Sequence, residues 1–437
     1  MKTIISQLQS YMNRLEENSY FNGSILVGYK GDILLSRGCG WSNREHAVKN
    51  TPQTKYRIGS ITKGFTVMAI LQLQEQGLLS VLEPINNYLP DYPNGSQITI
   101  HHLLTHTSGI PDFVKFPDYW ERIMRLPSTL DQTIDLFKNL PLEFTPGERF
   151  SYCTSSYILL TKIIELLSKQ SYASFLNQYI FNPLKMNDTG VDNGRTIVNN
   201  LASGYSVWKE IIHTEHVDMS IPVGGYGLYS TVEDLYRWDQ ALYTNKLVSY
   251  KSLQSIFTPY QENYGYGWAI QQMKIGDSSH TYISHYGDIN GFCGNMFRFV
   301  NDHLTVIVLS NLNITPVSWI GKNLASLFFG VPISFPELAA SIDLNDSKVQ
   351  RLIGTYQIEN SERKLMITYE DGQLYVSVTK MHGAPFKYPI HPVSITKDYV
   401  RCQAEYVDET LLFNINQTST LLMYREMGQT HLAFQLN

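Results

Sequence analysis

Near residue 340 the hydrophobic pattern of this 437-residue chain changes period, and no single small fold accommodates both parts. Upstream, apolar residues recur at helical spacing. Ile4–Glu17 reads as an amphipathic helix, and Ile61–Gln76 places Ile61, Phe65, Met68, Ala69 and Leu73 on one side before stopping at Gly77. Tyr157–Ser168 and Val317–Phe329 read as further apolar helices. Ser24–Tyr29 and Ile33–Arg37 flank a Gly31-Asp32 turn as a hairpin, and Thr281–His285, Gly294–Val300 and Leu304–Asn311 read as strands. Strands at both ends with helices between them predict one α/β (α+β) unit, closed by pairing early with late strands. Downstream the runs are short and alternating, at Lys364–Tyr369, Gln373–Val378, Val400–Ala404, Thr410–Ile415 and Leu421–Tyr424, which is an all-β rhythm. The expected division is residues 1–335 and residues 336–437.

Composition narrows the function classes. At about 150 residues per domain the length allows two or three domains and an ample core. Thirty-four Lys and Arg against 39 Asp and Glu give a net charge of −5, so neither a nucleic-acid footprint nor an acidic solvating tail is present. Charged residues are 17% of the chain, where roughly 25% is usual, and hydrophobic residues are 43%, which excludes a charge-driven disordered chain. Cys39, Cys153, Cys293 and Cys402 show no CxxC pair and no His at zinc-finger spacing, so no disulfide framework, metal site or cofactor is expected. Arg14, Glu16 and Glu17 fall too early for a signal-peptide core. No stretch approaches the ~20 apolar residues of a membrane span. The expectation is a cytoplasmic protein without membrane partners.

Several enzyme signatures are missing: no Ser has Gly at both −2 and +2, and HExxH, GxxxxGK[ST] and GxGxxG do not occur. What is present is Ser-x-x-Lys, at Ser60-Ile61-Thr62-Lys63, opening the periodic helix behind Gly59. On a helix these two positions share one face, so the Lys63 ammonium reaches the Ser60 hydroxyl and the pair reads as an activated nucleophile. The Ser60 N–H, at a helix N-terminus, points where a developing oxyanion is favoured. Other copies occur at Ser206–Lys209, Ser361–Lys364, Ser377–Lys380 and Ser394–Lys397. The last three lie in the alternating region, where i and i+3 take opposite faces, and no long helical pattern follows Ser206.

Neighbouring stretches add to Ser60. They are Ser96-Gln-Ile-Thr-Ile-His-His-Leu-Leu-Thr-His-Thr-Ser-Gly-Ile-Pro-Asp112, Pro146-Gly-Glu-Arg-Phe-Ser-Tyr-Cys-Thr154, Gly225-Tyr-Gly-Leu-Tyr-Ser-Thr-Val-Glu-Asp-Leu235, Tyr266-Gly-Trp268, and His285-Tyr-Gly287 with Gly291-Phe292. In order and spacing, across roughly residues 20–330, they resemble the serine β-lactamase-related family of class C β-lactamases, penicillin-binding proteins, D-aminopeptidases and esterases. The resemblance implies a β-lactamase/transpeptidase-like domain with an antiparallel sheet flanked by helices. Residues beyond about 340, with Gly354-Thr-Tyr356, resemble the lipocalin-like barrel appended to some members.

The resemblance implies that Ser60 is acylated, that Lys63 activates it, and that Tyr152 opens the second motif as general base and acid. His285-Tyr286-Gly287 takes the place of the third motif, Lys-Thr-Gly in many members, and the backbone N–H groups of Ser60 and Asp288 form the oxyanion hole. With reference pKa values near 10 for both Lys and Tyr, Lys63 and His285 are expected to favour a Tyr152 phenolate. Two positions depart from the pattern. Thr154 replaces an Asn that donates to a substrate amide, and His285 replaces a Lys, so carboxylate recognition is expected to be weaker at neutral pH and to titrate near 6.5. Tyr226 and Tyr286 are expected to line the pocket, His101, His102 and His106 to sit in a structural loop, and Cys153 to be small and buried.

The expected activity is serine hydrolysis of a small amide or ester, a D-amino-acid peptide or carboxylic ester, through a Ser60 acyl-enzyme. Two alternatives remain: a penicillin-binding or weak β-lactamase activity, and a non-catalytic ligand-binding member. The expected partner is a small molecule or short peptide rather than nucleic acid, and a homo-oligomer is left open.

Overall fold

The computed structural model describes residues 1–335, 340–342, 346–379, 385–416 and 421–436. The strand Gly23–Tyr29 pairs on one side with Asp32–Cys39 and on the other with Leu304–Ser310, Val27 lying opposite Val306. Early and late strands thus close one sheet, as the sequence predicts. Phe292–Phe299, Ser278–Ile289 and Ala269–Ile275 complete six antiparallel strands. The last of these is not foreshadowed, because Gln271, Gln272 and Lys274 interrupt its apolar run where an edge strand meets solvent.

Helices cover both faces of the sheet. Lys2–Glu17 and Val317–Phe328 share an apolar cluster with it on one side, through Leu8, Leu15, Ile320 and Leu324. On the other side Thr62–Glu75 and Thr154–Ser168 lie in the largest cluster. The sequence puts one face of the Ser60 helix in the core, but every residue from Thr62 to Leu73 is buried. A helix covered all round belongs at the centre of a protein. Ser60 itself sits on a 3-10 turn, Gly59–Ile61, that leads into the helix.

Eight strands from Gly354–Ile358 to Gln429–Gln435 form a barrel, closed by pairing Gln373–Thr379 with Pro385–Ile395. Prolines 385, 389 and 392 hide the latter strand from a sequence reading. The barrel also recruits upstream chain. The strand Tyr205–Trp208 of a hairpin with Glu210–His213 lies alongside Pro385–Ile395, Trp208 opposite Lys387. Tyr205, Val207, Leu312 and Ile314 lie in the barrel's own apolar cluster. Outside, Glu370 accepts from Lys209 Nζ at 2.6 Å and from Lys387 Nζ. The expected boundary at 335/336 borders residues 336–339, which lie outside the described residues.

Cutting the chain after residue 335 strips cover from Tyr205, Val207, Leu312 and Ile314, where an apolar side chain is worth about 1.5–3 kcal/mol when buried. The truncated protein is expected to melt below the full chain and to bind a hydrophobic dye before melting. Equal melting temperatures without dye binding would contradict this.

Candidate active site

The turn that carries Ser60 is pressed against the strand Ser278–Ile289. A Cβ on Gly287 would lie 2.1 Å from the Ile58 carbonyl oxygen and 2.8 Å from the Ser60 nitrogen. One on Gly59, whose φ is +52°, would lie 2.4 Å from the Asp288 nitrogen. Only glycine permits both the approach and the backbone angle, and the result sets the Ser60 backbone beside that of Asp288.

One turn into the helix, Lys63 is fully buried, and its Nζ donates to Ser60 Oγ at 3.0 Å and to the Gly225 carbonyl at 2.8 Å. Nζ also lies 4.9 Å from the ring centre of Tyr152 and 5.3 Å from that of Tyr157. Burial disfavours the ammonium and pulls its pKa down to about 7, against the upward pull of Asp112 and Asp288. A large fraction of the amine is therefore neutral at neutral pH. Tyr152 moves the other way: burial raises its phenol far above the ordinary value although Ser60 hydrogen-bonds it. Burial thus works against the expected Tyr152 phenolate and towards a neutral Lys63 amine.

His285 is buried, and both ring nitrogens are engaged. Nδ1 lies 2.6 Å from the Tyr286 carbonyl, which can only accept, so Nδ1 carries the proton and Nε2 accepts from the Tyr264 hydroxyl at 3.0 Å. The same hydroxyl oxygen accepts from His106 Nε2–H at 3.3 Å, because His106 Nδ1 already accepts the Cys153 N–H at 3.0 Å. The two backbone ends fix the direction of every bond in this chain. Burial and the Lys63 charge push His285 down to about 3, and burial pushes His106 well down too. The expected titration of His285 near 6.5 is therefore not met: burial and its two hydrogen bonds favour a neutral imidazole.

The other expected residues divide. Thr154, nearly buried, opens the helix Thr154–Ser168, and its methyl comes 3.0 Å from where a Cβ on Gly225 would be. Tyr226 follows Gly225, whose carbonyl accepts from Lys63, and its OH meets Tyr119 OH at 2.5 Å. Tyr286 does not line the cleft. Its cross-strand neighbour Asn295 bonds Ser318 at 2.8 Å, and the Tyr286 ring packs with the layer containing the Val317–Phe328 helix, since successive strand residues face opposite sides. Cys153 is buried, as expected, and its thiol donates to the Ile110 carbonyl at 3.2 Å.

His101 bonds Tyr266 OH at 2.8 Å and His102 closes a capping box with Thr99. Among the described residues no group of three His, Cys, Asp or Glu is placed to hold a metal, and no helix is long and apolar enough to cross a membrane. Two positions were missed in the sequence. Asp112 Oδ1 accepts the Thr154 N–H at 3.0 Å at the helix start, and Tyr264 joins the two histidines. Asp112 closes the quoted His-Thr-Ser-Gly stretch and Tyr264 precedes Gly265-Tyr266-Gly267-Trp268, but nothing in either pattern says what the side chain touches.

Comparison with known proteins gives the class first. A family model described as Beta-lactamase matches residues 9–327, and the chain belongs to this family of serine hydrolases. Along nearly its whole length it is similar to penicillin-binding protein 4* of Bacillus subtilis (strain 168), 29% identical over 431 residues, 92% of this chain and 93% of that one. The octameric penicillin-binding protein homologue from Pyrococcus abyssi superposes with a TM-score of 0.67 at 26% identity, covering 98% of this chain and 99% of that one. The D-amino acid amidase from Ochrobactrum anthropi SV3 gives 0.65 at 22% identity over 74% of this chain and 99% of that one, a likeness of fold.

Tyr264→Phe leaves His285 Nε2 without its donor and His106 Nε2–H without its acceptor, and each buried orphan costs about 1–3 kcal/mol. The unfolding free energy is expected to fall by about 2–6 kcal/mol, whereas Tyr266→Phe, whose hydroxyl meets the half-buried His101, costs about 1 kcal/mol or less. Equal losses in denaturant titrations would remove the Tyr264 chain from the site.

Proposed function

We propose that this protein hydrolyses a small amide or ester through an acyl-enzyme on Ser60, with D-amino-acid peptides and carboxylic esters as the substrate class. One observation carries the reading: a buried amine, its pKa pulled to about 7, lies 3.0 Å from Ser60 Oγ. Neutral Lys63 takes the Ser60 proton as Oγ bonds to the substrate carbonyl carbon. Negative charge on the carbonyl oxygen then meets the N–H groups of Ser60 and Asp288, and one such donor is worth about 3–4 kcal/mol in the transition state. The Tyr152 phenol keeps its proton at neutral pH and gives it to the leaving nitrogen or oxygen as the carbonyl re-forms; Lys63 returns a proton to Tyr152. Water then repeats the sequence and frees the acid.

A second reading is penicillin binding, in which the acyl-enzyme forms and persists. The full-length similarity to penicillin-binding protein 4* favours it. Against rapid β-lactam turnover stands Thr154, which brings a methyl where the family's Asn brings a carboxamide. A fluorescent penicillin, a p-nitrophenyl ester and a D-alanyl anilide separate the readings. Turnover of the ester or anilide lost in Ser60→Ala supports the hydrolase, and a lasting penicillin label without turnover supports the second reading. Neither label nor turnover on wild type leaves only a ligand-binding protein. The same architecture in an octameric relative supports self-association, and sedimentation at micromolar concentration tests it.

Because the Lys63 amine must be neutral to accept the proton, kcat/KM for the ester is expected to rise about tenfold per pH unit below about 7 and to level above it. His285→Gln, which keeps an acceptor and a donor, is expected to leave that limb in place. A profile flat from about pH 5.5 to 8, or a limb that moves with His285→Gln, would refute the assignment to Lys63.

A further inference from the structure

The carbonyl that takes the Lys63 amine belongs to Gly225, in the single helical turn Val223–Tyr226. So short a helix leaves its last carbonyls without partners of their own. Side chains from the start of the Thr62–Glu75 helix supply them. Lys63 Nζ donates to the Gly225 carbonyl at 2.8 Å, and Thr66 Oγ1 donates to the Gly224 carbonyl at 2.7 Å. Lys63 and Thr66, three residues apart, are neighbours on one helix face, so they meet two consecutive carbonyls. Thr62 Oγ1 closes the far end of the turn by accepting the Leu228 N–H at 3.2 Å.

The Thr66 bond is itself held from behind. A carbonyl can only accept, so the single Thr66 hydroxyl proton points at Gly224, and Tyr172 OH, 2.6 Å away, donates to Thr66 Oγ1. Thr66 and Tyr172 are fully or almost fully buried, so water does not compete for these bonds. The approach requires glycine: a Cβ on Gly224 would lie 2.2 Å from Thr161 Oγ1 and 3.1 Å from Thr66 Oγ1. Val223, which begins the turn, has φ +30°, an angle that a β-branched residue keeps only where its surroundings hold it.

We propose that Thr66 is a positioning residue: its hydroxyl fixes the Gly224–Gly225 peptide so that the following carbonyl stays aimed at the Lys63 amine, which sets how readily that amine takes the Ser60 proton. The aim of the carbonyl stands on the hydrogen bonds alone; the proton transfer rests on the Ser60 hydrolase reading. A carbonyl acceptor favours an ammonium over a neutral amine, so loss of its aim lowers the Lys63 pKa. The other groups that face the amine are the Tyr152 and Tyr157 rings, the neutral His106 and His285, the Cys153 thiol, and Asp112 and Asp288 at a distance. Among the described residues the Thr66 hydroxyl bonds none of them, so replacing it leaves their contacts in place.

Two pH titrations of the full-length protein test this. One is the acidic limb of kcat/KM for a p-nitrophenyl ester. The other is the 13C resonance of Lys63 Cε in lysine-labelled protein without substrate, assigned by its loss in Lys63→Met. Thr66→Val is expected to move both midpoints down by about 0.5–1 pH unit. Thr66→Ser, which keeps the hydroxyl, is expected to restore them. Thr161→Ala removes a neighbouring buried hydroxyl that bonds only its own helix, at the Tyr157 carbonyl, and is expected to move neither. Thr66→Ala, which cannot overfill the site, takes the place of Thr66→Val if that variant does not fold. An unmoved Lys63 resonance midpoint in the folded variant, or an equal shift in Thr161→Ala, overturns the proposal. A resonance that shifts as expected in a protein whose wild type turns over no ester sinks the hydrolase reading and leaves the positioning of Lys63 standing.

Discussion

An amine buried in the middle of an apolar core is the constraint on which the rest of this site depends. Taking an ammonium out of water is costly unless partners replace the solvent, and among the described residues the fold supplies a hydroxyl, one carbonyl and two ring faces. They hold the group without fully stabilising its charge, so the pKa falls to about 7 rather than remaining at its solution value. A carboxylate in direct contact would have kept the charge and removed the base. The nearest ones act at a distance: Asp112 is turned to the Thr154 N–H at the helix start.

That burial follows from architecture. The helix behind Ser60 is covered on every side because the sheet, the Thr154–Ser168 helix and the Val223–Tyr226 turn all pack against it. Its N-terminal turn leaves Ser60 partly open, and the Gly287 strand closes on that turn so tightly that a single added carbon would collide with it. The histidine beside the lysine shows the same economy of charge. A second cation there would repel Lys63; a chain of neutral hydrogen bonds running from Cys153 to Tyr286 lets an imidazole fill the space without one.

How much of this the amino-acid sequence carries depends on the range of the interaction. Ser60 and Lys63 are legible because i,i+3 spacing on a periodic helix is local, and the pairing of Gly23–Tyr29 with Leu304–Ser310 is legible because both runs are continuous and apolar. Tyr264, Asp112 and the Gly225 carbonyl are not, since each acts through a partner far along the chain. The direction of the pKa shifts was equally hidden. Reference values place Lys and Tyr together near 10, but burial lowers one and raises the other, and burial belongs to the assembled core. Tyr286 fails for a simpler reason: strand alternation alone turns its ring away from the face that His285 and Gly287 present.

The barrel enters the same argument through the path of the chain. The hairpin Tyr205–Trp208 and Glu210–His213 is hooked onto barrel strand Pro385–Ile395, and the chain then runs directly into residues 216–220 and the Val223–Tyr226 turn. This stretch is tied at its start by the barrel core and by Lys209 on Glu370. In its middle the Asp218 N–H bonds the Met124 carbonyl at 2.8 Å, and at its end Tyr226 meets Tyr119. Between those ties lies the carbonyl that grips Lys63. A segment with so little secondary structure keeps a fixed path only because its ends and middle are held elsewhere, so the position of the lysine's partner is set in part by a barrel that, among the described residues, contributes none of the side chains bonded to Ser60 or Lys63.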